Sequence, residues 1–197
     1  MKIATLGSCQ AMALNWYLMQ LFPKYKSKWV STEIFQFWSE KSEYNSTNSI
    51  WKSQANHNIF DSNDGINYLK SADCIIYQKI KPTTSELFNY EKIESYAKPS
   101  AKLVSLTYIH YDKNSNDPLK GMIEREELLL PDIKISKLIS ENPNREHFKF
   151  NQKGTHCNSV VFLEILREVC EKLEWSFFNE DKYKEIKERY YPFGENL

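Results

Sequence analysis

The chain has 197 residues, of which 41% are hydrophobic and 14% aromatic, enough apolar material for one continuous core and too much for a disordered chain. Lys plus Arg and Asp plus Glu both number 26, and only four residues are arginines (Arg125, Arg145, Arg167 and Arg189), so the charge excess and the planar donors of a nucleic-acid binder are missing. No apolar run approaches the roughly 18 to 20 residues of a membrane-spanning helix.

Residues 2–6 (K-I-A-T-L) read as a short buried strand that runs into Gly7-Ser8-Cys9-Gln10. That apolar run is too short for a signal-peptide core, which makes the cytoplasm the expected compartment. Ala11 to Phe22 carries Met12, Leu14, Trp16, Leu18, Met19 and Leu21 at helical spacing, closed by Pro23. Residues 29–38, rich in β-branched and aromatic side chains, are expected to hold a second strand, and the polar segment 39–64 a helix. A short helix over Asp64–Ser71 leads to the strand Asp73–Gln78. A helix over 85–97 and a strand over Lys102–Thr107 follow, then a turn-rich loop at 108–119. Helices are expected around 120–130 and 132–141, over 157–174 with a strong apolar face, and over 180–190. Strands alternating with helices predict a single α/β domain over residues 1–197, three-layered, with a mainly parallel sheet and two lid-like insertions at 39–64 and 108–119.

Ligands of such sheets bind beyond the carboxyl ends of the strands, which points to Gly7–Gln10 and to Gln78. Gly7 permits a sharp turn, and the first amides of the following helix, with its dipole, favour negative charge. Ser8 and Cys9 are both candidate nucleophiles there; a cysteine so placed is expected to have its pKa lowered by about a unit or more from about 8.5. Gln10 is a candidate oxyanion donor. Of four histidines, His156 stands just ahead of the strong helix and is the candidate base, with His147 its rival; His110 follows a strand, and His57 lies in a polar segment. Lys79, Lys81, Lys149 and Lys153 are candidates for holding ligand phosphates. The four cysteines (Cys9, Cys74, Cys157, Cys170) show neither C-x-x-C nor zinc-site spacing, so reduced thiols and no metal are expected. Neither a P-loop nor a dinucleotide glycine motif is present.

Gly7-Ser8-Cys9-Gln10, the run Ala72-Asp73-Cys74-Ile75-Ile76-Tyr77-Gln78, and Phe150-Asn151 followed by His156 together resemble the WcbI-like proteins of capsular polysaccharide biosynthesis. The family's pattern is a strand then Gly-Asn-Cys-Gln, a strand ending Asp-apolar-apolar-x-Gln, and a late Asn-His-Pro. Here Ser8 replaces the Asn, residues 152–155 separate Asn151 from His156, and Cys157 stands where Pro is usual. The resemblance implies a variant of the SGNH-hydrolase fold and an acetyltransferase that moves an acetyl group from acetyl-coenzyme A to a sugar hydroxyl. Its partners would be a small acyl donor and a saccharide acceptor. Cys9 would be the nucleophile and His156 the base, with Gln10, Gln78, Gly7, Ser8, Lys79, Asn151 and Lys153 lining the site. Asn151 and Asp73 are the candidates for a third group. The alternatives are an SGNH-like esterase with a cysteine nucleophile, and a non-catalytic binder of coenzyme A or glycan.

Overall fold

The computed structural model describes residues 1–30, 58–59, 62–80, 90–150, 154–175 and 179–187. Strand β1 (Lys2–Leu6) is buried from Ile3 onwards because it lies in the middle of the sheet. On one side it pairs in parallel with β2 (Lys26–Val30), from Lys2 opposite Lys26 to Leu6 opposite Val30; β3 (Asn58–Ile59) lies beyond. On the other side it pairs in parallel with β4 (Cys74–Gln78), which pairs with β5 (Lys102–Leu106). The order is β3-β2-β1-β4-β5. The chain therefore leaves β1 towards β2 and β3, then crosses back to build β4 and β5. Connections diverge at the carboxyl ends of β1 and β4, the switch point at which open parallel sheets leave a crevice.

Strand alternation sorts the core onto two faces. Ile3, Cys74, Ile76, Val104 and Leu106 pack under α1 (Cys9–Leu21), α5 (Ile135–Glu141), α6 (Ser159–Lys172) and α7 (Glu180–Lys187). Ala4, Leu6, Ile75 and Tyr77 pack under α2 (Ser62–Ser71) and α3 (Tyr90–Tyr96) through Leu69 and Ile93. Helix α4 (Lys120–Leu129) and a 3-10 turn at Arg145–His147 complete the described elements. This is the three-layer α/β fold with a parallel sheet that the strand–helix alternation predicts. Among the described residues no helix is long and apolar enough to cross a membrane.

Several boundaries differ from expectation, each for a local reason. β2 starts at Lys26, and only Trp29 and Val30 fall in the expected strand 29–38; residues 31–38 lie outside the described residues. A polar start is tolerated because the buried Ser27 hydroxyl donates to Asn15 Oδ1 of α1. α1 begins at Cys9, with Ser8 in extended conformation as its N-cap and the Ser8 hydroxyl accepting from the Gln10 amide. α6 begins at Ser159 with Asn158 as N-cap, two residues later than expected, and His156 precedes it as expected. Of the segment 39–64 expected to form a helix and a lid, only 58–59 and the start of α2 are described.

Candidate active site

At the switch point the sequence Gly7-Ser8-Cys9-Gln10 turns from β1 into α1. Gly7 has φ 148, and a Cβ there would run into Gln78 Oε1, so the turn needs glycine both for conformation and for space. Trp29 of β2, fully buried, donates its indole Nε1–H to the Gly7 carbonyl at 3.0 Å. Gln78, at the end of β4, accepts through Oε1 from the Ser8 amide and the Ser8 hydroxyl, both at 2.8 Å. The turn is thus fixed by the strands on either side of β1.

This geometry places Cys9 at the first position of α1, half-buried. Its Sγ lies 3.6 Å from His156 Nε2, within contact range for a thiol–imidazole hydrogen bond. His156 reaches it from a short loop held at several points. Gly154 has φ 65 and packs on the Tyr111 backbone, where a Cβ would clash; its carbonyl accepts from the Tyr111 amide at 2.8 Å. Cys157 bridges to Phe150 in antiparallel fashion, Phe150 stacks on Tyr111 with ring centroids 4.5 Å apart, and the Asn158 amide donates to the Lys149 carbonyl at 3.0 Å.

Gln10 has a different task from the oxyanion donation expected of it. Its Nε2 donates to the carbonyls of Ile109 (2.8 Å) and Thr155 (2.6 Å), which uses both amide hydrogens. Its Oε1 accepts from Gln78 Nε2 (2.9 Å) and the Ile109 amide (2.8 Å). Gln10 and Gln78 are both buried and form a polar lock beneath the site. Lys79, expected to face a ligand phosphate, directs its ammonium to the carbonyls of Leu129 and Leu130 at 2.9 Å each; it caps the C-terminus of α4, where the helix dipole favours a cation. Asp73 precedes β4 at the opposite end of the sheet and accepts from the Lys2 amide at 2.7 Å, so it is no partner for His156. His147 lies in the exposed 3-10 turn, 3.3 Å from Glu146. Asn151, Lys81 and Lys153 lie outside the described residues.

The start of loop 108–119, the loop expected as a lid, is anchored through the Gln10 bonds to Ile109 and the Tyr111–Gly154 bond. It supplies a residue that sequence reasoning passed over. Tyr108 sits just past β5; burial and the charge of Cys9 push its hydroxyl up to about 12, while Thr155 and Arg125 act in the opposite sense. The protonated Tyr108 phenol therefore lies within electrostatic range of the Cys9 thiol. The strand-end rule that singled out Gln78 would have found it. Burial, and secondarily the Cys9 charge, pushes the Cys157 thiol well above its ordinary value, so Cys157 stays protonated. Among the described residues no cluster of three or more His, Cys, Asp or Glu side chains is arranged to hold a metal ion.

No protein-family model matches the chain, and no curated protein matches it significantly by sequence. Among solved structures it is similar to WcbI, described as a polysaccharide biosynthesis enzyme, in a native form without a disulfide between coenzyme A and one of its cysteines. The match covers 98% of this chain and 74% of that one, with a TM-score of 0.55 at 14% sequence identity. At that identity the likeness establishes a shared fold: the chain has the α/β architecture of WcbI.

Proposed function

We propose that the chain is an acyltransferase of polysaccharide biosynthesis that moves an acetyl group from acetyl-coenzyme A to a sugar hydroxyl. The observation that carries this reading is the 3.6 Å approach of Cys9 Sγ to His156 Nε2 at the carboxyl-end switch point. The shared fold with WcbI, a polysaccharide biosynthesis enzyme whose description names coenzyme A, supports coenzyme A as the carrier, and an acetyl thioester as donor suits a cytoplasmic setting. Coenzyme A and its acetyl thioester are substrates here; the half-buried thiol is open enough to meet their sulfur end.

In the reaction, His156 takes the proton of the attacking group, either the acceptor hydroxyl directly or the Cys9 thiol in a two-step route. The freed oxygen or sulfur bonds to the acetyl carbonyl carbon, and the carbonyl π pair moves onto oxygen. Collapse breaks the bond from carbon to the coenzyme sulfur, and the imidazolium returns its proton to that sulfur. In the two-step route the acceptor hydroxyl then displaces Cys9 with His156 again as base. The α1 dipole would stabilise the oxyanion, since both Gln10 amide hydrogens are spent on the lock.

The test is the thermal midpoint with millimolar coenzyme A, against ATP as a phosphate-matched control. A hundredfold excess over Kd stabilises by about 2.7 kcal/mol, a shift of several degrees for a chain of this size. A shift with coenzyme A and none with ATP is expected; equal shifts, or none, would contradict the donor assignment.

A further inference from the structure

We infer that Arg125 is the anion-recognising residue of this site: its guanidinium binds a two-oxygen group, carboxylate or phosphate, on the ligand whose reacting end meets Cys9. The proposal rests on the acyl-transfer reading above and names the chemistry of its substrate. It begins with Glu126, which is buried on α4. The Glu126 carboxylate accepts from the Thr107 hydroxyl (3.1 Å), the Ser136 amide (3.0 Å) and the Ser136 hydroxyl. Thr107 is the first residue beyond β5, so these bonds pin α4 to the carboxyl edge of the sheet, with Arg125 next to Glu126 on the helix and Tyr108 next to Thr107 on that edge. The Tyr108 hydroxyl feels the Arg125 cation and the Cys9 charge together, in keeping with that placement.

Arg125 Nε and Nη2 are both shielded from solvent, and neither finds a hydrogen-bond partner among the described residues. The other described arginines are engaged: Arg145 donates to the Ser140 carbonyl at 2.5 Å, and Arg167 pairs with Glu180, also at 2.5 Å. Nε and Nη2 form one edge of the guanidinium plane, with two parallel N–H groups that match the paired oxygens of a carboxylate or phosphate. A shielded cation with that edge empty is unfavourable, and a ligand oxyanion removes the penalty. Glu126, its sequence neighbour, does not do so: its carboxylate is directed to Thr107 and Ser136 instead.

The experiment compares alkylation of Cys9 by iodoacetate and iodoacetamide, which deliver the same carbon with and without a carboxylate. In the wild type the iodoacetate-to-iodoacetamide rate ratio should exceed that of free cysteine, and Arg125→Gln should lower it about tenfold, as expected for losing a charge-assisted hydrogen bond. Arg125→Lys, which keeps the charge without the fork, should fall between and serves if the Gln variant does not fold. A ratio unchanged in both variants would overturn the proposal. Should Cys9 react no faster than free cysteine with either reagent, the two-step route through Cys9 fails, and Arg125 is then judged by thermal midpoints in succinate and in inorganic phosphate. A rise in the wild type that is absent in Arg125→Gln keeps the anion site, with succinate dominant for a carboxylate and phosphate dominant for a phosphoryl group. Equal behaviour of the two proteins overturns it.

Discussion

Gln10 Nε2 lies 2.6 Å from the carbonyl of Thr155, so the residue after Cys9 holds the residue before His156. The same side chain reaches Gln78 of β4 and Ile109 beyond β5, joining four parts of the chain beneath the Cys9–His156 contact. Positioning of this kind, by a buried and fully satisfied network, is what keeps a reacting pair in register. Gln10→Leu would leave the Thr155 and Ile109 carbonyls, the Ile109 amide and Gln78 Nε2 short of partners. It should cost about 2–4 kcal/mol, at about 1–3 kcal/mol per stranded buried group with partial relaxation, and should slow Cys9 alkylation. Urea unfolding together with iodoacetamide kinetics checks both; wild-type values in both would mean that the lock does not position the pair.

Gly7 is a second point of dependence. Its φ of 148 and the nearness of Gln78 Oε1 mean that Gly7→Ala adds backbone strain and pushes on the same lock. A loss of about 2–4 kcal/mol is expected, seen as a lower thermal midpoint. A loss below about 0.5 kcal/mol, the range of a neutral surface change, would show that the turn can relax around a methyl group.

The four thiols should separate cleanly in the native protein. Burial pushes Cys74 and Cys170 up to about 12 and Cys157 well above the ordinary thiol range, so all three remain protonated and shielded at pH 8. Iodoacetamide should label Cys9 alone, with the other three labelled after denaturation, as mapped by peptide mass spectrometry. Native labelling of Cys157 at a rate similar to Cys9 would contradict the burial argument.

Much of this centre was legible because it depends on local chain order. A short apolar strand, one glycine, a capping serine and a helix put Cys9 at the sheet's carboxyl edge, and that follows from residues 2–21 alone. That His156 rather than His147 meets Cys9 depends on Gly154 folding over the Tyr111 backbone, a long-range contact without a sequence period. The partners of Gln10 and Lys79 are not legible in the sequence for a related reason. A polar side chain near a site is equally suited to a ligand or to a stranded carbonyl, and only the fold shows the Thr155, Leu129 and Leu130 carbonyls waiting there. Arg125 carries no sequence signal, since it is one of several charges on α4.

Away from the site, Asp132 joins the segment before α5 to β5. Burial works to raise its carboxyl, but the Ser105 amide (2.9 Å) and hydroxyl (2.8 Å), aided by Lys172, outweigh it and hold the group below the ordinary carboxylate range. A depressed folded value adds stability that is present above the unfolded pKa of about 3.9 and is lost as pH falls through the folded value. Asp132→Asn should therefore be less stable than wild type at pH 7, with the gap closing towards pH 3. Urea midpoints at the two pH values test this; a gap independent of pH would contradict it.

The central claim is that Cys9 and His156 are the reacting pair, and release of coenzyme A from acetyl-coenzyme A, with hydroxylamine in place of the sugar acceptor, tests it most directly. Thiol release above the uncatalysed background should occur in the wild type and fall at least about a hundredfold in both Cys9→Ala and His156→Ala, the size expected for losing a nucleophile or a general base. Wild-type rates in both variants would contradict the assignment and leave the Cys9–His156 contact a structural feature of the switch point.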